Sequence, residues 1–180
     1  RHVQSTLYLC WAAHAAMYHF YGIQRRLRAE KFSGVYEHRV LDPNNELLRG
    51  FDPLFYAPHS RYGHIEVAQY NSVPGLNVVA QSDTAGAYVV ASEDKRMVFV
   101  TGHPEYDPET LHDEFVRDTD AGQSPAVPVN YYPDDDPTQS PLVRWRSHGS
   151  LLFTNWLNYY VYQTTPYDLE QLAAKAPPTR

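Results

Sequence analysis

The chain contains a single cysteine, Cys10, and it stands where a predicted strand turns directly into a predicted helix. Residues 5–9 are mostly apolar and suited to a strand, whereas residues 11–21 are rich in alanine and are followed by Gly22, which favours helix termination. Passing from strand to helix within one residue needs a sharp turn, which pushes the side chain at that turn out of the fold. The junction therefore predicts an α/β fold that displays Cys10 at the end of a sheet strand.

The position of Cys10 is that of a nucleophile elbow, near the positive end of a helix, which favours a thiolate. His103 follows a second predicted strand, residues 97–101, and Glu105 lies two residues further on. A thiol, an imidazole and a carboxylate form a nucleophile, its base and the group that orients the base. We predict these three as catalytic residues, with the backbone N–H of Trp11 as an oxyanion donor. An inert buried thiol and an ordinary surface histidine are the alternatives.

Composition excludes several classes of function. The 180 residues fit one domain, and the net charge of −6 argues against binding nucleic acid. No apolar run approaches the ~18 residues of a membrane span, so we expect no membrane partner. One cysteine excludes an internal disulfide and suits a reducing cytoplasm. The nine histidines show no HExxH pattern, so we expect no metal site.

The remaining pattern predicts a strand meander between helices. We expect strands at 35–41, 76–80, 87–91 and 97–101, helices at 109–117 and 151–162, and mostly loop at 45–61. Residues 121–147 carry five prolines and predict a long irregular segment, in which Tyr131, Tyr132 and Trp145 need packing sites.

The start of the sequence adds an expectation about its extent. Several strands normally precede a nucleophile elbow in α/β folds, and here only one does. We therefore expect the chain to be the C-terminal part of a longer domain whose N-terminal strands are missing, with a catalytic domain at 1–172 and a tail at 173–180.

Six stretches, taken together and in order, resemble the homoserine O-succinyltransferase family of acyltransferases. They are 9–13 (LCWAA), 30–36 (EKFSGVY), 57–62 (APHSRY), 99–106 (FVTGHPEY), 145–149 (WRSHG) and 155–163 (NWLNYYVYQ). The resemblance covers nearly all of residues 5–169. It implies a fold like that of class I glutamine amidotransferases, with a sheet flanked by helices.

The resemblance also implies a reaction and a set of residues. Cys10 would accept an acyl group from succinyl-CoA or acetyl-CoA as a thioester, and L-homoserine would take that group in the first step of methionine biosynthesis. His103 would be the general base, held by Glu105. Acyl-CoA is a co-substrate, so no resident cofactor is implied, and a cytoplasmic homodimer is expected.

Three further positions match substrate-binding residues of the family. Lys31 matches a lysine that contacts substrate, and Ser60 matches a substrate-binding serine. Arg117 matches an arginine that pairs with the amino-acid carboxylate, a task suited to a planar bidentate donor. Without the resemblance, each of the three reads as an ordinary surface or turn residue.

Three alternatives remain open at this point. The first is a glutaminase or amidotransferase-type hydrolase on the same scaffold, although the cysteine lacks flanking glycines. The second is acylation of serine, which differs from homoserine by one methylene that pockets discriminate weakly. The third is an inactive fragment that serves as a binding module.

Overall fold

The computed structural model describes residues 3–166, which form a six-stranded sheet flanked by helices. The strands are β1 (Thr6–Leu9), β2 (Arg26–Val40), β3 (Leu54–His64), β4 (Leu76–Ser82), β5 (Gly86–Ser92) and β6 (Met97–Val100). The helices are α1 (Trp11–Tyr21), α2 (Val67–Asn71), α3 (Thr110–Asp120) and α4 (Arg146–Asn155), with 3₁₀ turns at Glu46–Leu48 and Pro133–Asp135 and a π-helix at Trp156–Tyr162. The predicted α/β class is confirmed.

The sheet brings the first and last strands side by side. Its strand order is β1-β6-β5-β4-β2-β3, with β1 and β6 parallel and all other neighbours antiparallel. Leu9 lies opposite Val100 in the parallel pair. Because parallel strands run in the same direction, the residues that follow β1 and β6 emerge at the same edge of the sheet.

Alternation along β6 supplies both faces of the core. Phe99 packs with Met17 of α1 on one face of the sheet, whereas Val98 and Val100 pack with Leu152 of α4 on the other. Successive side chains of a strand point to opposite faces, so a short, wholly apolar strand such as β6 serves two layers at once.

Helix α1 has the extent that the sequence predicts. It begins directly after Cys10 and ends before Gly22, which adopts a left-handed conformation with φ of 69°. The N–H of Gly22 donates to the carbonyl of Tyr18 at 2.9 Å and so closes the last turn.

The prediction of mostly loop at 45–61 is wrong, and so is the start predicted for the preceding strand. Strand β3 covers Leu54–His64, and β2 begins at Arg26 rather than at residue 35. The two strands pair with each other over most of their length, which neither segment reveals alone. Pro58 is tolerated within β3 because that strand is at the edge of the sheet.

The C-terminal helical region is longer and less regular than predicted. Helix α4 begins at Arg146 and passes into the π-helix at Trp156, where a single helix over 151–162 was expected. Tyr160 is buried in the core and Trp156 packs against it, as the aromatic spacing predicts.

The irregular segment at 121–147 has the packing sites that its aromatic residues need. Tyr131, Tyr132 and Trp145 form a third core cluster with Val35 of β2 and Leu111 of α3. The segment therefore packs against β2 and α3 through these aromatic side chains.

The predicted tail at 173–180 and the domain boundary at residue 172 lie outside the described residues. Over residues 3–166, none of the helices combines the length and the apolar character needed to cross a membrane.

We expect Phe99→Ala to lower the free energy of unfolding by about 3–5 kcal/mol, because it removes a fully buried ring from the core between the sheet and α1. The ring also stacks on Tyr8, with centroids 5.4 Å apart. Urea unfolding measures the change. The control is Leu27→Ala on the exposed part of β2, which we expect to change stability by less than about 0.5 kcal/mol. Equal effects of the two substitutions would contradict this account of the core.

Candidate active site

Cys10 occupies a strained turn between β1 and α1. Its φ of 46° and ψ of −109° lie in a region that residues other than glycine rarely adopt. Its N–H donates to the carbonyl of Val100 at 2.7 Å, and its carbonyl accepts from the N–H of His14 at 3.2 Å. The backbone is thus tied to β6 on one side and to α1 on the other, which fixes the direction of the thiol.

His103 stands at the same edge of the sheet, shortly after β6. Its backbone N–H donates to the carbonyl of Pro58 in β3 at 2.9 Å, and its Nδ1 lies 2.7 Å from Oε1 of Glu105. Gly102 makes this approach possible, because a Cβ there would lie only 2.7 Å from the same Pro58 oxygen. His103 and Glu105 therefore form the predicted pair.

The surroundings of His103 favour its charged form. Burial lowers the pKa of His103, but hydrogen bonding and charge interaction with Cys10 and Glu105 outweigh that effect and raise it to about 9. An imidazolium beside a sulfur stabilises a thiolate. The predicted triad of Cys10, His103 and Glu105 is brought together in the fold.

The predicted oxyanion donor, the N–H of Trp11, lies at the start of α1. Trp11 is the first residue of α1, so its N–H has no acceptor within that helix. The neighbouring thiol points toward β3, where its Sγ lies 4.0 Å from the carbonyl oxygen of Ser60. Ser60 thus borders the nucleophile through its backbone.

The side chain of Ser60 links the triad to a second polar cluster centred on Glu114 of α3. Glu114 accepts hydrogen bonds from Ser60 Oγ, from Tyr106 Oη at 2.7 Å and from Lys31 Nζ at 2.9 Å. Burial raises the pKa of Glu114, but these donors together lower it below its ordinary value. Lys31 also donates to Asp118 at 2.8 Å, and although burial lowers the pKa of this ammonium, the two carboxylates raise it overall.

Arg117 belongs to the same cluster but faces outward. Its Nε and Nη2 donate to Oδ1 of Asp118 at 2.9 and 2.6 Å, and its side chain is 66% exposed. The two-donor fork that was predicted to take a carboxylate is therefore occupied by a carboxylate of the protein itself. The fold brings Lys31, Ser60 and Arg117 into one cluster.

A cavity of about 420 Å³ opens beside this cluster. It lies between β2 and the irregular segment at 121–147, and its lining includes Lys31, Tyr62, Phe115, Asp118 and Pro125. The cavity is on the Lys31 side of the cluster rather than directly over Cys10.

The sequence pattern does not single out Glu114 or Tyr106, which donates a hydrogen bond to it. A signal was present, since Glu114 and Asp118 are four residues apart and so share one face of α3 with Arg117. Among residues 3–166, no group of three or more His, Cys, Asp or Glu side chains is arranged to hold a metal ion.

Comparison with known sequences gives a consistent match. A family model described as homoserine O-succinyltransferase matches residues 1–167. A homoserine O-succinyltransferase of Alteromonas mediterranea is 78% identical over the whole chain, which covers 58% of that relative. One of Pseudoalteromonas atlantica is 69% identical over 98% of the chain, which covers 57% of it. The chain thus spans somewhat more than half the length of these relatives.

Solved structures share the fold at low sequence identity. A glutamine amidotransferase from Thermotoga maritima matches with a TM-score of 0.57 and 13% identity, over 87% of this chain and 62% of that one. One from Methylobacillus flagellatus matches with a TM-score of 0.57 and 12% identity, over 89% and 64%. The predicted amidotransferase-like fold is confirmed, and at this identity the likeness extends to the fold alone.

We expect the interactions of His103 to stabilise the protein below pH 6.5 and to be lost as the pH rises through about 9, because a raised pKa means that folding favours the protonated ring. Urea unfolding of wild type and His103→Gln should differ by about 2 kcal/mol at pH 6 and converge by pH 10. His19→Gln on the exposed side of α1 serves as the control and should show no such trend. A difference that grows with pH would contradict the assignment.

Proposed function

The chain belongs to the homoserine O-succinyltransferase family, and from this premise we propose that it forms the acyl-transferring part of an enzyme that moves a succinyl group from succinyl-CoA to the hydroxyl of L-homoserine. The observation that carries the proposal is Cys10 on a strained strand-to-helix turn beside the His103–Glu105 pair. Such a constellation performs nucleophilic acyl transfer.

The first half-reaction is a thioester exchange. Sγ of Cys10 attacks the carbonyl carbon of the acyl-CoA, and the N–H of Trp11 stabilises the developing oxyanion. The carbon–sulfur bond to CoA then breaks, and the departing sulfur takes a proton from the imidazolium of His103. One thioester replaces another, so the step needs little driving force.

The second half-reaction needs His103 in its neutral form. Acylation removes the negative sulfur that helps to raise the pKa of His103, so the ring titrates closer to the neutral range in the acyl-enzyme. His103 then takes the proton of the homoserine hydroxyl, whose oxygen attacks the thioester while the Cys10–acyl bond breaks. Glu105 holds the ring in one orientation throughout.

The cluster around Glu114 is a suitable place to hold the amino acid. Lys31, Ser60 and Arg117, the three predicted substrate-binding residues, meet there, and the backbone of Ser60 borders the thiol. We infer that the substrate carboxylate competes with Asp118 for the guanidinium of Arg117, because that fork is already occupied. The exposure of Arg117 makes this exchange accessible.

The name of the relatives favours succinyl-CoA over acetyl-CoA as the donor, and homoserine over serine as the acceptor. The reaction would be the first step of methionine biosynthesis in the cytoplasm, a compartment that suits one free thiol. Steady-state rates with both donors and both acceptors, measured beside glutamine hydrolysis, separate these alternatives. The highest kcat/KM is expected for succinyl-CoA with homoserine.

We expect Cys10→Ala to abolish the covalent acyl adduct and to lower transfer at least about a thousandfold, because no other thiol exists in the chain. Intact-mass spectrometry after mixing with succinyl-CoA alone should find one added succinyl group on the wild type. Leu27→Ala, on an exposed part of β2, is the matched control and should acylate normally. An adduct on the alanine variant would overturn the proposed mechanism.

A further inference from the structure

Arg61 of β3 is a buried cation that has no acidic partner among the described residues. Its side chain is 7% exposed. Nη1 donates to the carbonyl of Gly63 at 2.7 Å, Nη2 to the carbonyl of Ala85 at 2.6 Å, and Nε to Nδ1 of His59 at 3.3 Å. All three acceptors are neutral, so these hydrogen bonds leave the charge of the guanidinium uncompensated.

The hydrogen bonds of Arg61 also define the state of the two histidines behind it. A guanidinium only donates, so Nδ1 of His59 must accept, and the proton of His59 is on Nε2. Nε2 of His59 lies 3.0 Å from Nε2 of His38, which must then accept and carry its own proton on Nδ1, 2.9 Å from the carbonyl of Tyr36. This series of hydrogen bonds runs in one direction, from Arg61 through His59 and His38 to the carbonyl of Tyr36, and both imidazole rings in it are neutral.

The other titratable groups that face Arg61 supply no anion. His14 comes from α1, Arg28 and Tyr36 from β2, His64 from β3 itself and Tyr70 from α2. Burial lowers the pKa of His14 and His38 to about 3 and that of His59 well below its ordinary range, so these rings are uncharged at neutral pH. Burial raises the pKa of Tyr36 to about 12, which keeps its phenol neutral.

The thiol of Cys10 is the group that can supply the missing negative charge. Its Sγ lies 4.0 Å from the carbonyl oxygen of Ser60, the residue that precedes Arg61. Burial and Arg28 lower the pKa of Arg61, and the leading opposing contribution comes from Cys10, ahead of Tyr70 and Tyr36.

We propose that Arg61 is a positioning residue of the active site, a buried fixed charge that stabilises the thiolate of Cys10 from within the sheet. The proposal rests on the assignment of Cys10 as the nucleophile. Besides Arg61, His103 and Tyr106 interact with Cys10, and Glu105 is hydrogen-bonded to His103. Arg61 does not touch substrate.

Two cations with different behaviour would then serve one thiol. His103 gives up its proton during the reaction, so its charge changes from step to step. Arg61 keeps its proton at every pH that the fold tolerates, because a guanidinium does not titrate in proteins. The thiolate is therefore stabilised as a leaving group in the second half-reaction, when His103 has to act as a base.

The test uses alkylation of Cys10, which reports on one site because the chain has one cysteine. The rate of reaction with iodoacetamide is measured against pH for the 180-residue chain and for Arg61→Met. We expect the midpoint of the variant to move up by about one pH unit, so that the rate on the acid side of the profile falls about tenfold. Arg61→Lys keeps the charge and should restore most of the rate.

Arg39→Met is the matched control, since Arg39 of β2 is exposed and already paired with Asp83 at 2.6 Å. It should leave the midpoint unchanged. An unchanged midpoint in a folded Arg61→Met variant would overturn the proposal, as would an equal shift in Arg61→Lys. Alkylation needs neither acyl-CoA nor homoserine, so failure of the proposed acyl transfer is detected separately from failure of this inference.

A second comparison applies if Arg61→Met does not fold. In a His103→Asn background, Cys10→Asp and Cys10→Asn differ by one negative charge at the thiol position, with Arg61 as the remaining buried cation. We expect the aspartate variant to have the higher Tm at pH 8. A higher Tm for the asparagine variant would show that the position is not built for a negative charge and would overturn the proposal.

Discussion

The parallel pairing of β1 with β6 is the interaction on which the rest of the site depends. The hydrogen bond from the N–H of Cys10 to the carbonyl of Val100 closes this pair at its carboxyl end. Two parallel strands that end together release their following residues at one edge of the sheet, so the thiol and His103 meet although they are far apart in sequence. The strained backbone of Cys10 is maintained because β6 and α1 both hold it.

The charges of the site fall into two groups that differ in how they are balanced. Around Glu114, two cations and two carboxylates neutralise one another, which lets a polar cluster lie half-buried beside the cavity. Around Arg61, the neighbouring titratable groups other than Arg28 and Cys10 are histidines and phenols whose ionisation is suppressed by burial. The first arrangement is suited to exchanging one ion pair for another when a charged ligand enters. The arrangement around Arg61 leaves a permanent positive charge, which stabilises a nearby anion.

Sequence patterns predicted the elements that depend mainly on residues close together in the chain. Helix α1, the meander of β4, β5 and β6, and the candidate triad of Cys10, His103 and Glu105 follow from alanine content, apolar runs and residues at strand ends. Strand β3 and the first part of β2 were not recognised, because arginines, histidines and Pro58 are poor strand signals. Their pairing across the sheet edge overrides those local preferences. The π-helix after α4 likewise has no local signature.

The amino-acid sequence by itself indicated the family of the chain and the candidate thiol and histidine of its site, because a thiol on a strand-to-helix turn and a histidine at a strand end are encoded in contiguous residues. The tertiary structure alone decided which charges act on that thiol. Glu114 lies on a helix, Lys31 on one strand and Arg61 on another. The burial of these side chains and the distances between them are set only when the helix packs against the sheet. The strength of an electrostatic interaction depends on separation and on the exclusion of water, and neither quantity is a property of residue order.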